Sequence, residues 1–275
     1  MKILVLANRD IASNLALNYL FQGIAESHQF EVLLSASVGK TNHNKPEALQ
    51  ELAFFEQTLF NQILFPALKN QPIDPINTRL SFDGFERQGI KVSDIQSINC
   101  KEGLRAVKFC EPDLIVSIRF GLILQSEVIE IPRFGVINLH SGELPTYRGV
   151  MATFRAMQQA DPECGTTLHY INDSGIDNGE IISISKQAID YQRSYLFNTL
   201  AVYKQGVNDL IAAINSIEKY GKCSSGAGNQ DDNPTQNSEE NYYSFPTELE
   251  LKSFHQSGLK LYEYRDIIDL ANNFH

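Results

Sequence analysis

One stretch limits the possible folds of this chain more than any other. Residues 135–139 form a short apolar run with the β-branched content of a buried parallel strand. Turn-forming residues, Ser141 and Gly142, end the run almost at once. On such a strand, Asn138 and His140 are two residues apart and lie on one face. Both side chains therefore emerge at the carboxyl end of a strand, where open α/β sheets bind their ligands.

This strand end has a structural and a functional interpretation. Asn138 and His140 can simply satisfy backbone groups where the strand ends, which is the commoner role of a single histidine. In the functional interpretation, the amide donor and the titratable imidazole belong to a site. A second polar stretch, residues 165–182, favours the functional interpretation because it completes a recognisable pair of motifs.

The two motifs together resemble those of the folate-dependent formyltransferase family. The first motif is N-x-H followed by L-P-x-Y-R-G, and the second is G-x-T-x-H followed by D-x-G. They match residues 138–140, 144–149, 165–169 and 177–179. The similarity also includes residues 113–124 and extends to about residue 189. The pair Gly142-Glu143 departs from the family pattern, because tRNA-directed members more often carry Ser-Leu or Leu-Leu there.

The resemblance implies a catalytic triad of Asn138, His140 and Asp177. The family moves a formyl group from 10-formyltetrahydrofolate to a primary amine, and it needs no metal. The Asn138 amide would stabilise the oxyanion, and a protonated His140 would donate to that oxygen and then to the departing folate nitrogen. The Asp177 carboxylate would favour the charged imidazole and accept the proton of the amine through water.

The resemblance also implies where the folate binds. The strand predicted over residues 113–118 is followed by a loop whose glycine lies between large apolar residues. Such a loop can offer backbone N–H and C=O groups to a flat heterocycle, although the residues alone equally describe a plain strand-to-helix turn. The implied folate contacts are Arg119, Phe120, Gly121, Leu122 and Ile123, with Ile171, Ser174 and Gly175 on the opposite wall.

Further apolar runs predict the rest of a sheet. Residues 3–7, 30–36 and 113–118 indicate buried parallel strands, and residues 89–92 and 179–189 indicate two more. Helical spacing predicts helices after Ala12, from Pro46 to Leu64, over 101–110 and over 196–217, with residues 70–87 irregular. This alternation predicts an α/β fold, with a Rossmann-like open, mostly parallel twisted sheet, helices on both faces and a small C-terminal appendage.

Two of these helices leave a question of function open. Ser13 is predicted to cap the first helix, either as a plain cap or with free N–H groups facing an anion. Residues 8–14 lack G-x-G-x-x-G, so no dinucleotide site is predicted. Pro46 suits the first position of its helix, which by default packs on the core. A dimer face and a wall of the substrate entrance are the alternatives.

Charge and cysteine usage narrow the class of protein. A net charge of −10 argues against nucleic acid as a non-specific partner. The four cysteines form no C-x-x-C and are typical of reduced thiols in a cytoplasmic protein. The first apolar run ends at Asn8, too early for a signal peptide or a membrane helix. We therefore expect a cytoplasmic protein with no membrane partner.

The composition predicts three regions along the chain. Residues 1–220 form the catalytic domain, residues 221–241 a polar loop or linker, and residues 242–275 a small aromatic appendage. The aromatic clusters around Tyr243 and Tyr262 are equally consistent with a satellite core and with rings on which a nucleobase stacks.

The acceptor amine is predicted from the appendage. From Gly221 onward there are four basic and nine acidic residues, whereas a tRNA substrate favours a basic module of domain size. The short aromatic tail resembles that of sugar-nucleotide N-formyltransferases, so a nucleotide-linked amino sugar is the leading acceptor. Predicted substrate contacts are Tyr147, Arg148, Tyr243 and Phe245. The alternatives are methionyl-tRNA or another acceptor, hydrolysis of 10-formyltetrahydrofolate, and a non-enzymatic folate-binding regulator. The chain is also expected to be able to form a homodimer.

Overall fold

The computed structural model describes residues 1–35, 45–68, 79–223, 242–272 and 274. Its strands are β1 (Lys2–Asn8), β2 (Gln29–Ser35), β3 (Lys91–Ile95), β4 (Leu114–Ile118), β5 (Val136–His140), β6 (Arg148–Gly149), β7 (Glu163–Ile171), β8 (Ile181–Ala188) and β9 (Tyr242–Tyr243). Its helices are α1 (Ile11–Ile24), α2 (Glu47–Ala53), a π-helix (Phe54–Leu64), α3 (Phe65–Leu68), α4 (Phe82–Arg87), α5 (Lys101–Cys110), α6 (Ser126–Ile129), α7 (Ala152–Gln158), α8 (Tyr195–Ala201), α9 (Tyr203–Tyr220), α10 (Glu248–Gln256) and α11 (Tyr264–Ala271).

The main sheet has seven strands in the order β3-β2-β1-β4-β5-β7-β8. The first five strands in this order, β3, β2, β1, β4 and β5, are parallel to one another. β7 runs antiparallel to β5, and β8 runs antiparallel to β7. A second sheet pairs β6 with β9. The carboxyl ends of β1, β4 and β5 therefore meet at one edge of the main sheet.

Burial on both faces explains the unbroken apolar run of β1. Its residues Ile3, Val5 and Ala7 belong to one buried cluster, to which α1 and α9 contribute. Its residues Leu4 and Leu6 belong to a second cluster, which includes residues of α5 and α6. A strand covered on both sides has no polar face. The predicted class, an open and mostly parallel α/β sheet with helices on both faces, is confirmed.

The start of α1 corrects one prediction. The N-cap is Asp10 and not Ser13, because Asp10 is extended and its carboxylate accepts a hydrogen bond from the Ser13 N–H at 2.7 Å. Ser13 itself is fully buried inside the helix. The helix end therefore holds a carboxylate from the chain itself in place of free N–H groups.

The segment after Pro46 is helical, but it is not one α-helix. Pro46 is the extended N-cap of α2 and not its first residue. An 11-residue π-helix then follows α2 and leads into α3. Leu49, Leu52 and Phe60 are buried in the core, whereas Phe54 is exposed. Core packing, the default prediction, accounts for the buried positions.

Two further boundaries differ from the prediction. Residues 82–87, predicted to be irregular, form α4. The Ser81 side chain caps this helix by accepting a hydrogen bond from the Gly84 N–H, and the helix buries Phe82 and Phe85. Residues 69–78 of that predicted segment lie outside the described residues. The predicted helix over residues 196–217 is interrupted at Val202, which separates α8 from α9.

The C-terminal segment packs on the core of the main domain. Phe254 stacks on Phe154 with ring centroids 4.4 Å apart. The ring centroids of Tyr262 and Phe55 are 4.2 Å apart. The predicted linker lies outside the described residues except for residues 221–223. The division of the chain into three regions stays a prediction.

Candidate active site

The candidate site lies where β5 ends, between β4 and β7. In the β4–β5 register Ser117 pairs with Asn138, and in the β5–β7 register Asn138 pairs with His169. The polar side chains at the end of β5 therefore have a partner on the antiparallel neighbour. This pairing follows from the fold and is not visible in the spacing of either motif.

Four side chains form a continuous chain of contacts. The Asn138 amide nitrogen lies 3.0 Å from His169 Nε2, and His169 Nε2 lies 3.6 Å from Asp177 Oδ1. The other oxygen, Asp177 Oδ2, lies 3.5 Å from His140 Nδ1. The structure thus brings together all three residues of the predicted triad, with His169 between Asn138 and Asp177.

The ring of His140 is held in one orientation by a backbone carbonyl. Its Nε2 lies 2.7 Å from the carbonyl oxygen of Tyr147. A carbonyl oxygen only accepts, so Nε2 carries a hydrogen and donates. The other ring nitrogen, Nδ1, faces Asp177. His140 is 8% exposed, so this geometry is shielded from bulk water.

His169 belongs to the G-x-T-x-H motif, and the structure shows what it does. Its Nδ1 lies 2.9 Å from the Tyr170 carbonyl oxygen, so Nδ1 carries a hydrogen. In the neutral ring, Nε2 therefore accepts a hydrogen bond from the Asn138 amide and fixes the orientation of that amide. A Cβ at Gly179 would lie 1.7 Å from the same Tyr170 oxygen. The glycine of the D-x-G motif is required by this close approach.

Asp177 is held by the strand β6. Its Oδ2 accepts a hydrogen bond from the Gly149 N–H at 2.9 Å. The Arg148 guanidinium donates to the Ile176 carbonyl, with Nη2 at 2.6 Å, and Asp177 itself adopts a left-handed conformation with φ of 51°. The Arg148 contact fixes the backbone just before Asp177, and the Gly149 contact fixes its carboxylate.

The surroundings of Asp177 keep it ionised. Burial alone would raise the pKa of this carboxyl group, but the neighbouring His140 opposes burial, as do the hydrogen bond from the Gly149 N–H and the proximity of His169. The net result lowers the pKa of Asp177 to about 2. At neutral pH the site therefore contains a nearly buried carboxylate beside two imidazole rings.

Thr167 holds the turn that follows His140. Its hydroxyl donates to the Gly142 carbonyl at 2.7 Å and accepts from the Leu144 N–H at 3.0 Å. There is no room for a side chain at Gly142, since a Cβ would lie 2.7 Å from His140 Nε2. The Gly142-Glu143 departure from the family pattern thus includes a residue that must be small.

The predicted folate wall is only partly available to a ligand. Arg119 has a left-handed φ of 56°, and its guanidinium contacts Asp10 through Nε at 3.1 Å and the Tyr203 hydroxyl through Nη1 at 3.4 Å. The Gly121 N–H donates to Asn8 Oδ1 at 3.1 Å. The side chain of Arg119 therefore braces the loop from inside, which leaves its backbone as the part nearest a ligand.

Three apolar residues of the two predicted walls pack on one buried cluster. Phe120, Leu122 and Ile171 are half-buried and pack against the same buried cluster. Ile123 is 53% exposed. Ser174 and Gly175 are exposed in the loop that leads to Asp177.

A buried polar network lies behind the folate loop and was not predicted. Tyr203 is fully buried and hydrogen bonds with the Ser141 side chain, next to His140. Glu56, on the π-helix, lies 3.8 Å from Arg119. Burial raises the pKa of Glu56 to about 7, although Arg119 acts in the opposite direction. Arg119 thus links the π-helix to the turn beside the candidate triad.

The predicted substrate contacts lie around β6 and β9. The Tyr147 phenol is buried against Asp161, so Tyr147 reaches the site through its backbone carbonyl. The Tyr243 ring is half-buried beside Tyr147 and under Arg155. Phe245 is half-buried, with the Lys45 ammonium 5.1 Å from its ring centroid.

The middle of the chain, which contains the candidate site, resembles formyl transferases in sequence. Residues 85–213 match the sequence profile of the family described as formyl transferase. The predicted resemblance to the folate-dependent formyltransferases is confirmed.

The chain is also similar to individual proteins. The methionyl-tRNA formyltransferase of Kosmotoga olearia is 39% identical over 93 residues, which are 34% of this chain and 30% of that protein. The chain spans less than half the length of the curated relatives it matches. A sugar N-formyltransferase from a Shewanella species shares the fold, with a TM-score of 0.51, 16% identity, and 84% and 75% of the two chains covered. Glycinamide ribonucleotide transformylase 1 from Symbiobacterium toebii also shares the fold, with a TM-score of 0.54 and 12% identity. The similarity covers 80% of this chain and 88% of that protein.

The described part of the chain contains neither a metal-binding cluster nor a membrane helix. No group of three His, Cys, Asp or Glu side chains there is arranged to hold a metal ion. No helix in those same ranges has the length and apolarity needed to cross a membrane.

Proposed function

We propose that this protein is an N-formyltransferase that moves a formyl group from 10-formyltetrahydrofolate to a primary amine. The observation that carries the proposal is the chain of contacts from Asn138 through His169 and Asp177 to His140. It combines a fixed amide donor, a carboxylate that is ionised at neutral pH and an imidazole oriented by it, at the edge where open α/β sheets bind ligands.

The residues that contact one another divide the work of acyl transfer. With one N–H held by His169, the Asn138 amide keeps its second N–H for the oxygen on which negative charge develops. His140 holds a proton on Nδ1 and donates it as general acid, because Nε2 is committed to the Tyr147 carbonyl. The Asp177 carboxylate stabilises the charged ring and accepts the proton of the attacking amine through water. Each group is held by a second contact, so little reorganisation is required.

The half-buried apolar side chains fit a flat folate ring. Phe120, Leu122 and Ile171 would form its apolar walls, and the backbone from Arg119 to Ile123 would provide hydrogen bonds. When bound there, 10-formyltetrahydrofolate supplies the activated formyl group. The protein supplies the walls, the amide donor and the proton.

We further propose a nucleotide-linked amino sugar as the acceptor. Phe245, in the C-terminal segment, has a ring beside the ammonium of Lys45, which precedes α2, and this pair suits a nucleobase next to a phosphate. From Gly221 onward the chain is acidic, which disfavours the long phosphate backbone of a tRNA.

Methionyl-tRNA is the second candidate acceptor. It is favoured by the names of the curated relatives, whose matches cover 27–48% of this chain. The acceptor-binding parts of those proteins need not lie within so short a match.

A panel of amines separates these proposals. The protein is incubated with 10-formyltetrahydrofolate and, separately, nucleotide-linked aminosugars, glycinamide ribonucleotide and methionyl-tRNA, and each product is weighed by mass spectrometry. We expect a gain of one formyl group on a nucleotide-linked aminosugar. Formylated methionyl-tRNA would contradict the sugar acceptor, and formate released equally without any amine would indicate a hydrolase.

Replacing Phe245 with alanine tests how the acceptor is held. We expect KM for the nucleotide-linked acceptor to rise about five- to a hundredfold, because stacking on one base contributes roughly 1–3 kcal/mol. The turnover number and the affinity for a non-transferable folate analogue should stay unchanged. Tyr220→Ala, which removes an exposed ring at the end of α9, is the matched control. An unchanged KM in Phe245→Ala would remove the nucleobase contact from the proposal.

A further inference from the structure

We propose that residues 242–256, here called the C-terminal strap, position Asp177 for catalysis through β6. This inference rests on the proposed function, since it assigns to the strap a role in the same reaction. It gives the strap a role that does not depend on any contact with substrate. The geometry has two parts, a strand pairing and an anchor.

The strand pairing connects the strap to the carboxylate. In the β6–β9 register Arg148 pairs with Tyr242 and Gly149 with Tyr243, and the Val150 N–H donates to the Tyr243 carbonyl at 2.9 Å. On its other side, the same short segment donates from Gly149 to Asp177. β6 therefore lies between the strap and Asp177 and contacts both.

Gly149 allows this close approach. Its φ of 93° lies in the left-handed region, and a Cβ there would lie 2.2 Å from the Tyr243 carbonyl oxygen. A residue with a side chain would push β9 away from β6. The close approach of β6 to β9 thus depends on Gly149, the residue whose N–H donates to Asp177.

Arg155 anchors the strap to the main domain. Its guanidinium donates to the Ser244 carbonyl at 3.1 Å and to the Glu250 carboxylate, and it lies 5.0 Å from the centroid of the Tyr243 ring. Its side chain is only 5% exposed. A buried guanidinium with these partners fixes both the end of β9 and the first turn of α10. Arg155 is therefore a positioning residue that acts through β9 and β6.

The test compares Arg155→Met with the wild-type protein in two measurements. Steady-state kinetics should show kcat about ten- to a hundredfold lower, with KM for folate little changed, because small displacements of a catalytic group reduce rate more than binding. The second measurement is a pH titration of the ¹³C carboxyl signal of Asp177, assigned from its loss in Asp177→Asn. Its pKa should rise from about 2 toward the ordinary value as the Gly149 N–H moves away.

The controls keep the test informative if Arg155→Met folds poorly. Glu250→Gln weakens the same anchor from the half-exposed side, and it should change kcat and the Asp177 titration in the same direction by a smaller factor. Glu248→Gln, an exposed carboxylate of α10 paired with Lys252, should change neither. Circular dichroism verifies the fold of each variant.

Two results would overturn the inference. One is an Asp177 titration that is unchanged in a folded Arg155→Met or Glu250→Gln variant. The other is a raised acceptor KM at unchanged kcat, which would make the strap a substrate-binding element. The titration needs no turnover, so it decides the role of the strap even if the wild-type protein transfers no formyl group. Such a protein would refute the proposed function alone.

Discussion

Turnover should fall by about 10²–10⁴ when His140 is replaced by alanine or Asp177 by asparagine, while the fold persists. This loss corresponds to roughly 3–5 kcal/mol of transition-state stabilisation. His140→Ala removes the Nδ1 proton. Asp177→Asn removes the charge that stabilises the imidazolium and the acceptor for the proton of the amine. Single-turnover rates measured beside circular dichroism spectra check both variants.

The same two types of substitution, made at residues away from the site, serve as controls for these variants. His255→Ala removes an exposed imidazole of α10, and Asp209→Asn removes the carboxylate that Gln205 contacts on α9. Both should keep wild-type rates, since neither residue contacts the site. A near-normal rate in folded His140→Ala or Asp177→Asn would remove the triad from the proposed mechanism.

Gly142→Ala should lower turnover by about 10²-fold, although the change adds only a single methyl group. The added Cβ would lie 2.5 Å from Ala152 Cβ, 2.7 Å from His140 Nε2 and 2.9 Å from the Tyr147 carbonyl oxygen. The hydrogen bond that orients His140 must then lengthen or break. Overpacking of this kind also costs about 1–3 kcal/mol of stability. Kinetics and thermal unfolding of the same samples measure both effects.

Gly89→Ala separates the effect on the site from the general cost of losing a glycine. Gly89 has a φ of 84°, and a Cβ added there would have no heavy atom within 4 Å, so only backbone strain is added. That strain should cost about 1 kcal/mol and leave kcat unchanged. If Gly142→Ala lost only as much activity as Gly89→Ala, the Tyr147 carbonyl would have no part in orienting His140.

Much of the site was predictable because it depends on local regularities. A run covered on both faces has to be apolar throughout, so β1, β4 and β5 were visible in the sequence. The period of a strand placed Asn138 and His140 on one face. The D-x-G motif then indicated Asp177, which local pattern alone would not have singled out.

The rest depends on contacts between distant parts of the chain. His169 acquires its role from the antiparallel pairing of β7 with β5, a register that no motif records. The ion pair of Arg119 with Asp10 joins residues 109 positions apart. Asp10 also displaced Ser13 as the cap, since both residue types suit that position and only the backbone conformation decides. Tyr147 contributes a carbonyl oxygen, a group that every residue has and that no sequence pattern can single out.

The carboxylate of Asp10 at the start of α1 makes this corner of the sheet self-neutralising. A helix end normally attracts anions from solution, but here the position is filled from within and balanced by Arg119. A phosphate arriving at that corner would find the first N–H groups of α1 already paired with Asp10, whose charge Arg119 balances. The start of α1 therefore adds no affinity for a phosphorylated acceptor, and any such affinity has to come from other parts of the site.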